Sequence, residues 1–205
     1  MAGTRCTGAV LAGGAGSRLG GIAKGLLDVG GRRMIDHVAL ALEAAADRVL
    51  IVANDDGAGD WRPGTPVIGD VQTGLGAAGG LHAALRAAGG DDLLVVAWDM
   101  PFVPATLLRA LRERAATADA AVCARAGSRW EVEPLCACYR PSCLAALERR
   151  LDAGDARAGA WLDDVRVAIL DRAALSRFGD PEVLLMDVDT EAELADARRL
   201  AAAAT

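Results

Sequence analysis

Aromatic residues are scarce in this chain: four Trp, two Phe and one Tyr make up 3% of its 205 residues. With so few rings, the interior must be filled by the small aliphatic side chains that abound instead, as in α/β proteins. Lysine is scarcer. Lys24 is the only one among 22 basic residues, so a compact ammonium is kept at one place where arginine serves everywhere else. Histidine is limited to His37 and His82, both in stretches with helical spacing, where packing is the simplest role. The five cysteines, Cys6, Cys123, Cys136, Cys138 and Cys143, are odd in number, which argues against a secreted disulfide framework. Cys136 and Cys138 stand one residue apart and lack neighbouring histidines, so they read as structural thiols. No apolar run reaches the ~18 residues that cross a bilayer, and the N-terminus lacks a charged segment followed by a signal-length apolar core; the expected compartment is the cytoplasm. A net charge of −6 gives no reason to expect nucleic acid or a membrane as partner, so an anionic substrate must meet a local positive site. The length suits one sizeable core, hence one domain over residues 1–205.

What is present is organised around residues 7–31. A short apolar strand ending at Leu11 runs into Ala12-Gly13-Gly14-Ala15-Gly16-Ser17-Arg18-Leu19-Gly20-Gly21-Ile22-Ala23-Lys24. Glycines remove side chains where backbone has to approach a ligand, and exposed N–H groups in such a loop suit a phosphate. Two familiar glycine motifs are excluded. A dinucleotide fingerprint needs a third glycine where Leu19 stands, and a P-loop needs Lys and Ser/Thr where Ile22 and Ala23 stand.

The remaining pattern, L-A-G-G-x-x-x-R-x-G-x-x-x-K-G-L-L, resembles the signature of the MobA-like nucleotidyltransferases, and within them the molybdenum cofactor guanylyltransferases. Further segments carry the same resemblance. Leu93-Leu94-Val95-Val96-Ala97 is a continuous apolar run of the kind expected of a central strand, and Trp98-Asp99-Met100-Pro101-Phe102-Val103 at its end resembles the family's D-M-P motif, with Trp98 where a small residue or Cys is usual. Glu133-Pro134-Leu135-Cys136-Ala137-Cys138-Tyr139 resembles E-P-L-x-A-x-Y. Asp187-Val188-Asp189-Thr190-Glu191-Ala192-Glu193-Leu194 resembles the terminal D-V-D-T-P-E-[DE]-L, with Ala192 replacing Pro. Ala23 stands where the family carries Asp.

The resemblance implies a single Rossmann-like α/β/α domain of the nucleotide-diphospho-sugar transferase type, with a mostly parallel twisted sheet. It implies GMP transfer from GTP to the terminal phosphate of molybdopterin, with Mg²⁺ and release of pyrophosphate, and transient contact with molybdenum-insertion or molybdoenzyme maturation proteins. It assigns Arg18, Lys24 and Asp99 to catalysis. Leu11, Ala12, Gly13, Gly14, Asn54 and Asp70, with Lys24 and Asp99, go to the nucleotide. Arg129 and Glu133 are placed on the acceptor side, and Asp99 on Mg²⁺ with Asp187 or Asp189 completing the shell; for these last two a turn and capping role is the alternative. The Gly13-Gly14 pair favours guanine, with CTP the nearest alternative donor. A different phosphate acceptor, or a nucleotide-binding module with little turnover, are the competing readings.

Spacing elsewhere predicts helices over 34–46, 81–88, 104–116, 141–153 and 157–164, and strands over 48–53, 67–68, 120–124 and 165–170. The first strand, helix and second strand form a β-loop-α-β unit, which implies parallel pairing. Residues 73–81 read as a second glycine-rich loop, 180–182 as a turn, and Thr190 with Glu193 as a capping box for the last helix.

Overall fold

The computed structural model describes residues 4–13, 18–19, 22–128 and 131–203. Strand β1 (Cys6–Leu11) is followed by two short antiparallel ladders, β2 (Arg18–Leu19) with β3 (Ile22–Ala23) and β4 (Asp28–Val29) with β5 (Arg32–Arg33), and between them a 3₁₀ turn covers Lys24–Leu26. Then come α1 (Met34–Glu43), β6 (Arg48–Val52), β7 (Val67–Ile68), α2 (Gly76–Ala88), β8 (Asp92–Ala97), α3 (Ala105–Ala115), β9 (Ala120–Ala124) and β10 (Val132–Tyr139). The chain closes with α4 (Cys143–Asp152), β11 (Val167–Leu170), two short helices α5 (Arg172–Leu175) and α6 (Pro181–Leu184), and α7 (Glu191–Ala203).

Seven strands form the main sheet in the order β11-β9-β10-β8-β1-β6-β7. All neighbours are parallel except at β10, which runs against both β8 and β9. The period-2 alternation of strand side chains fixes the layers. Leu94 and Val96 of β8 pack with Ile35, Val38 and Leu42 of α1 and Leu107 and Leu111 of α3 on one face. Leu93 and Val95 pack with Leu81 and Leu85 of α2 and Leu147 of α4 on the other. Ile35, Val38 and Leu42 are each at most 1% exposed, and burying such side chains contributes roughly 1.5–3 kcal/mol apiece, more than the helix propensity of any single residue. Gly8 lets α1 settle onto β1, since a Cβ there would stand 3.1 Å from Leu42 Cβ.

The α/β/α architecture is the expected one, and the capping box forms: Glu193 N–H donates to Thr190 Oγ1 at 3.2 Å while Thr190 N–H donates to Glu193 Oε2 at 2.8 Å. Three local expectations are corrected. Helix α2 begins at Gly76 inside the stretch read as a loop, because Gly79 and Gly80 let the helix lie close to Asp70, Leu11 and Val52. The helix expected over 157–164 is a 3₁₀ segment, Ala160–Asp164. The turn at 180–182 is the start of α6: Asp180 Oδ1 accepts from Glu182 N–H and Pro181 takes the first helical position. Among the described residues, no helix is long and apolar enough to cross a membrane.

Candidate active site

The carboxyl ends of β1, β6 and β8 open onto a cleft of about 610 Å³ whose lining includes Leu11, Val52 and Ala97. Backbone bonds across these ends hold the floor together: Ala12 N–H donates to Val52 O at 2.9 Å and Trp98 N–H to Leu11 O at 3.1 Å. Of the residues assigned to the nucleotide, Leu11, Ala12, Gly13, Asn54, Asp70 and Asp99 all line this cleft. Asn54 Oδ1 accepts from Asp70 N–H at 2.8 Å, and α2 points its first turn at the same space through Gly76, Ala77 and Gly80. A Cβ on Gly79 would stand 3.1 Å from Asp70 Oδ2, so a glycine there gives that carboxylate its place.

Lys24 and Asp99 meet directly. Lys24 is 6% exposed, its Nζ lies 2.5 Å from Asp99 Oδ2, and it also pairs with Asp189 Oδ1. Burial works against the ammonium, but the two carboxylates outweigh it and hold its pKa above the ordinary value. At Asp99 burial opposes ionisation and Lys24 favours it. The second oxygen, Oδ1, is buried and has no hydrogen-bond partner among the described residues.

The terminal segment reaches this point through one backbone bond: Val188 N–H donates to Asp99 O at 3.0 Å, and Val188 is fully buried. In the extended chain its neighbours then diverge, Asp189 to Lys24 and Asp187 to Arg125 at 2.7 Å. Arg125 leaves the end of β9 and also pairs with Glu133 Oε2 at 2.5 Å. Burial lowers the tendency of Arg125 to stay charged, and the hydrogen bonds it donates to the two carboxylates more than offset it. Glu133 is 6% exposed; burial raises its carboxyl pKa against Leu135 N–H, 2.8 Å from Oε1, and Arg125.

Sequence reasoning missed Arg125, which lines the cleft as Glu133 and Asp187 do. Its one signal was its position, directly after a strand end. Gly14 and Arg129 lie outside the described residues, as does the Arg18 side chain; the Arg18 backbone sits opposite Ala23 in the β2–β3 ladder, one residue from Lys24. Lys24 and Asp99, both assigned to catalysis by the resemblance, are brought together as a direct ion pair. Among the described residues no group of three or more His, Cys, Asp or Glu forms a closed metal site. Two carboxylates with one unpartnered buried oxygen fit instead a hard cation that takes its remaining ligands from phosphate and water.

A family model, the MobA-like NTP transferase domain, matches residues 8–169. The probable molybdenum cofactor guanylyltransferase of Pelotomaculum thermopropionicum is 36% identical over 197 residues, 96% of this chain and 94% of that protein. The molybdenum cofactor guanylyltransferase of Shewanella frigidimarina is 37% identical over 166 residues, 78% of this chain and 82% of that protein. Among solved structures, the molybdopterin-guanine dinucleotide biosynthesis protein A of Archaeoglobus fulgidus superposes with a TM-score of 0.79 at 27% identity, covering 96% of this chain and 99% of that one. A nucleotidyl transferase of Methanothermobacter thermautotroptrophicus has the same fold, with a TM-score of 0.79 at 21% identity over 99% of this chain and 100% of that one. The strand-end cleft and the likeness along nearly the whole chain lead to one assignment: this protein belongs to the MobA-like NTP transferase family and is a nucleotidyltransferase.

Proposed function

We propose that residues 1–205 act as one domain that transfers GMP from GTP to the terminal phosphate of molybdopterin, releasing pyrophosphate. The observation that carries this reading is the lone lysine, seated on Asp99 at the end of β8 beside a cleft floored by Leu11, Ala12 and Gly13. An acceptor phosphate is already anionic at neutral pH, so no general base is needed. Its oxygen forms the new bond to the α-phosphorus as the bond to the bridging oxygen of pyrophosphate breaks. The protein must bring two anions together and stabilise charge on the leaving group. Lys24 and Arg18 are the cations for the triphosphate, and Leu11 to Gly14 with Asp70 and Asn54 hold the nucleoside. Arg125 faces the acceptor, with Glu133 and Asp187 fixing its guanidinium; Arg129 keeps the acceptor role that the resemblance gives it. The family works with a divalent metal, and here Asp99, with Asp189, would hold Mg²⁺. Held by these residues, such an ion would supply Lewis-acid neutralisation of phosphate charge.

The test is pyrophosphate release with GTP, CTP and ATP, each with and without molybdopterin. Release that requires GTP and molybdopterin together is the expected result. Release with CTP would overturn the base assignment, and tight GTP binding without release would overturn transfer itself.

A further inference from the structure

Gly25 is not needed for its backbone. It is absent from the described glycines with positive φ, so its torsions are open to other residues, and what it supplies is the lack of a side chain. A Cβ built there would stand 2.2 Å from Trp98 Cε3 and 2.6 Å from Cδ2, atoms of the ring body that cannot swing aside. Trp98 is 1% exposed, its backbone N–H donates to Leu11 O, and its ring is backed by Trp61 with centroids 5.0 Å apart. The indole is therefore a fixed stop against which the Lys24–Leu26 turn rests, and the turn is itself closed by Leu27 N–H donating to Lys24 O at 3.0 Å. Its first residue carries the ammonium on Asp99, and Asp99 directly follows Trp98 in the chain. One ring thus sets the height of the lysine turn over the strand end and adjoins the carboxylate it meets.

We propose that Trp98 is a positioning residue, its indole seated in the space left by Gly25 so that the Lys24 ammonium is delivered to Asp99. Two consequences separate this from packing alone. The pair should be size-complementary, and its disturbance should be felt at the Lys24 ammonium before the fold is lost. The inference rests on the reading of Lys24 as the phosphate-binding cation, but its geometry can be tested without substrate.

Because the chain holds a single lysine, protein labelled with ¹⁵N at lysine Nζ gives one side-chain ammonium signal. Its proton exchange with water, measured at one fixed pH on the ligand-free full chain, reports whether the ammonium is paired. Gly25→Ala and Trp98→Leu are each expected to speed that exchange about tenfold or more, and Gly25→Ala/Trp98→Leu to bring it back toward wild type. Turnover should follow the same order, with kcat down about a hundredfold in Gly25→Ala, as for ångström-scale misplacement of a catalytic group, and at least partly regained in the double variant. Wild-type exchange in Trp98→Leu would overturn the proposal. So would a double variant whose exchange is no slower than that of either single one. The exchange measurement decides whether or not GTP turns over, so failure here is distinct from failure of the proposed reaction.

Discussion

Removing the ammonium at position 24 would leave Asp99 buried with neither oxygen paired, so the loss is one of stability as well as chemistry. Truncating one partner of a buried ion pair costs about 3–5 kcal/mol, chiefly from the charge left behind. Lys24→Ala is therefore expected to melt well below wild type and to lose pyrophosphate release by roughly a hundred- to a thousandfold. Adding Asp99→Asn removes the stranded charge; thermal unfolding should then recover while activity stays lost. Recovery of both would show that neither group takes part in transfer. As candidates both stood out in the sequence because each was marked twice, Lys24 by rarity and spacing, Asp99 by its place at the end of an apolar run and by the D-M-P motif it opens. Arg125 carried only one mark, its place directly after a strand end. It is one arginine among many, and only the pairing of β9 with β10 brings Glu133 into its reach.

At the scale of elements, the sheet is tied at its other end by one carboxylate. Asp119 Oδ2 accepts from the N–H of Arg166 at 3.1 Å just before β11, and Oδ1 accepts from Ser142 Oγ at 2.9 Å ahead of α4. Hydrogen bonds from the Arg166 side chain and Ser142 hold the Asp119 carboxyl at about 2, below its ordinary 3.8. Between those values the unfolded chain binds more protons than the folded one. The stabilisation is therefore complete above about pH 4 and disappears as pH falls toward 2. Because the Arg166 side chain is largely exposed, solvent screening limits the effect to about 1 kcal/mol. In urea unfolding, Asp119→Asn should fall below wild type by that amount at pH 5, with the gap closing near pH 2. An equal gap at both would show that ionisation of Asp119 contributes nothing. Element boundaries were least legible where glycine has two meanings. At Gly79 and Gly80 it permits close packing of a helix, and composition alone does not distinguish that from a loop.

Across the whole molecule, the five cysteines are buried and free. Burial pushes Cys6 up to about 11 and Cys143 up to about 12, and raises Cys138; at Cys136 the hydrogen bond with Cys123 and burial act together in the same direction. A thiol reagent at pH 8 should find no cysteine in the native protein and five after denaturation; rapid native reaction would mean that the sheet and the helices covering it open readily. The central place of β8 was legible from its continuous apolar run, while strand order was not, because it depends on contacts far apart in the chain. The reversed course of β10 has its own outcome. Parallel β8 contributes its final residue, Ala97, to the cleft, whereas β10 contributes residues from its opening half, Glu133 and Leu135, and Arg125 just after β9 lines the same space. Under the proposed function, lengthening or shortening the connection between β9 and β10 would remodel the side of the cleft given to the acceptor while leaving Leu11, Ala12 and Gly13 in place, a natural point of divergence between enzymes that share a donor and differ in what they modify.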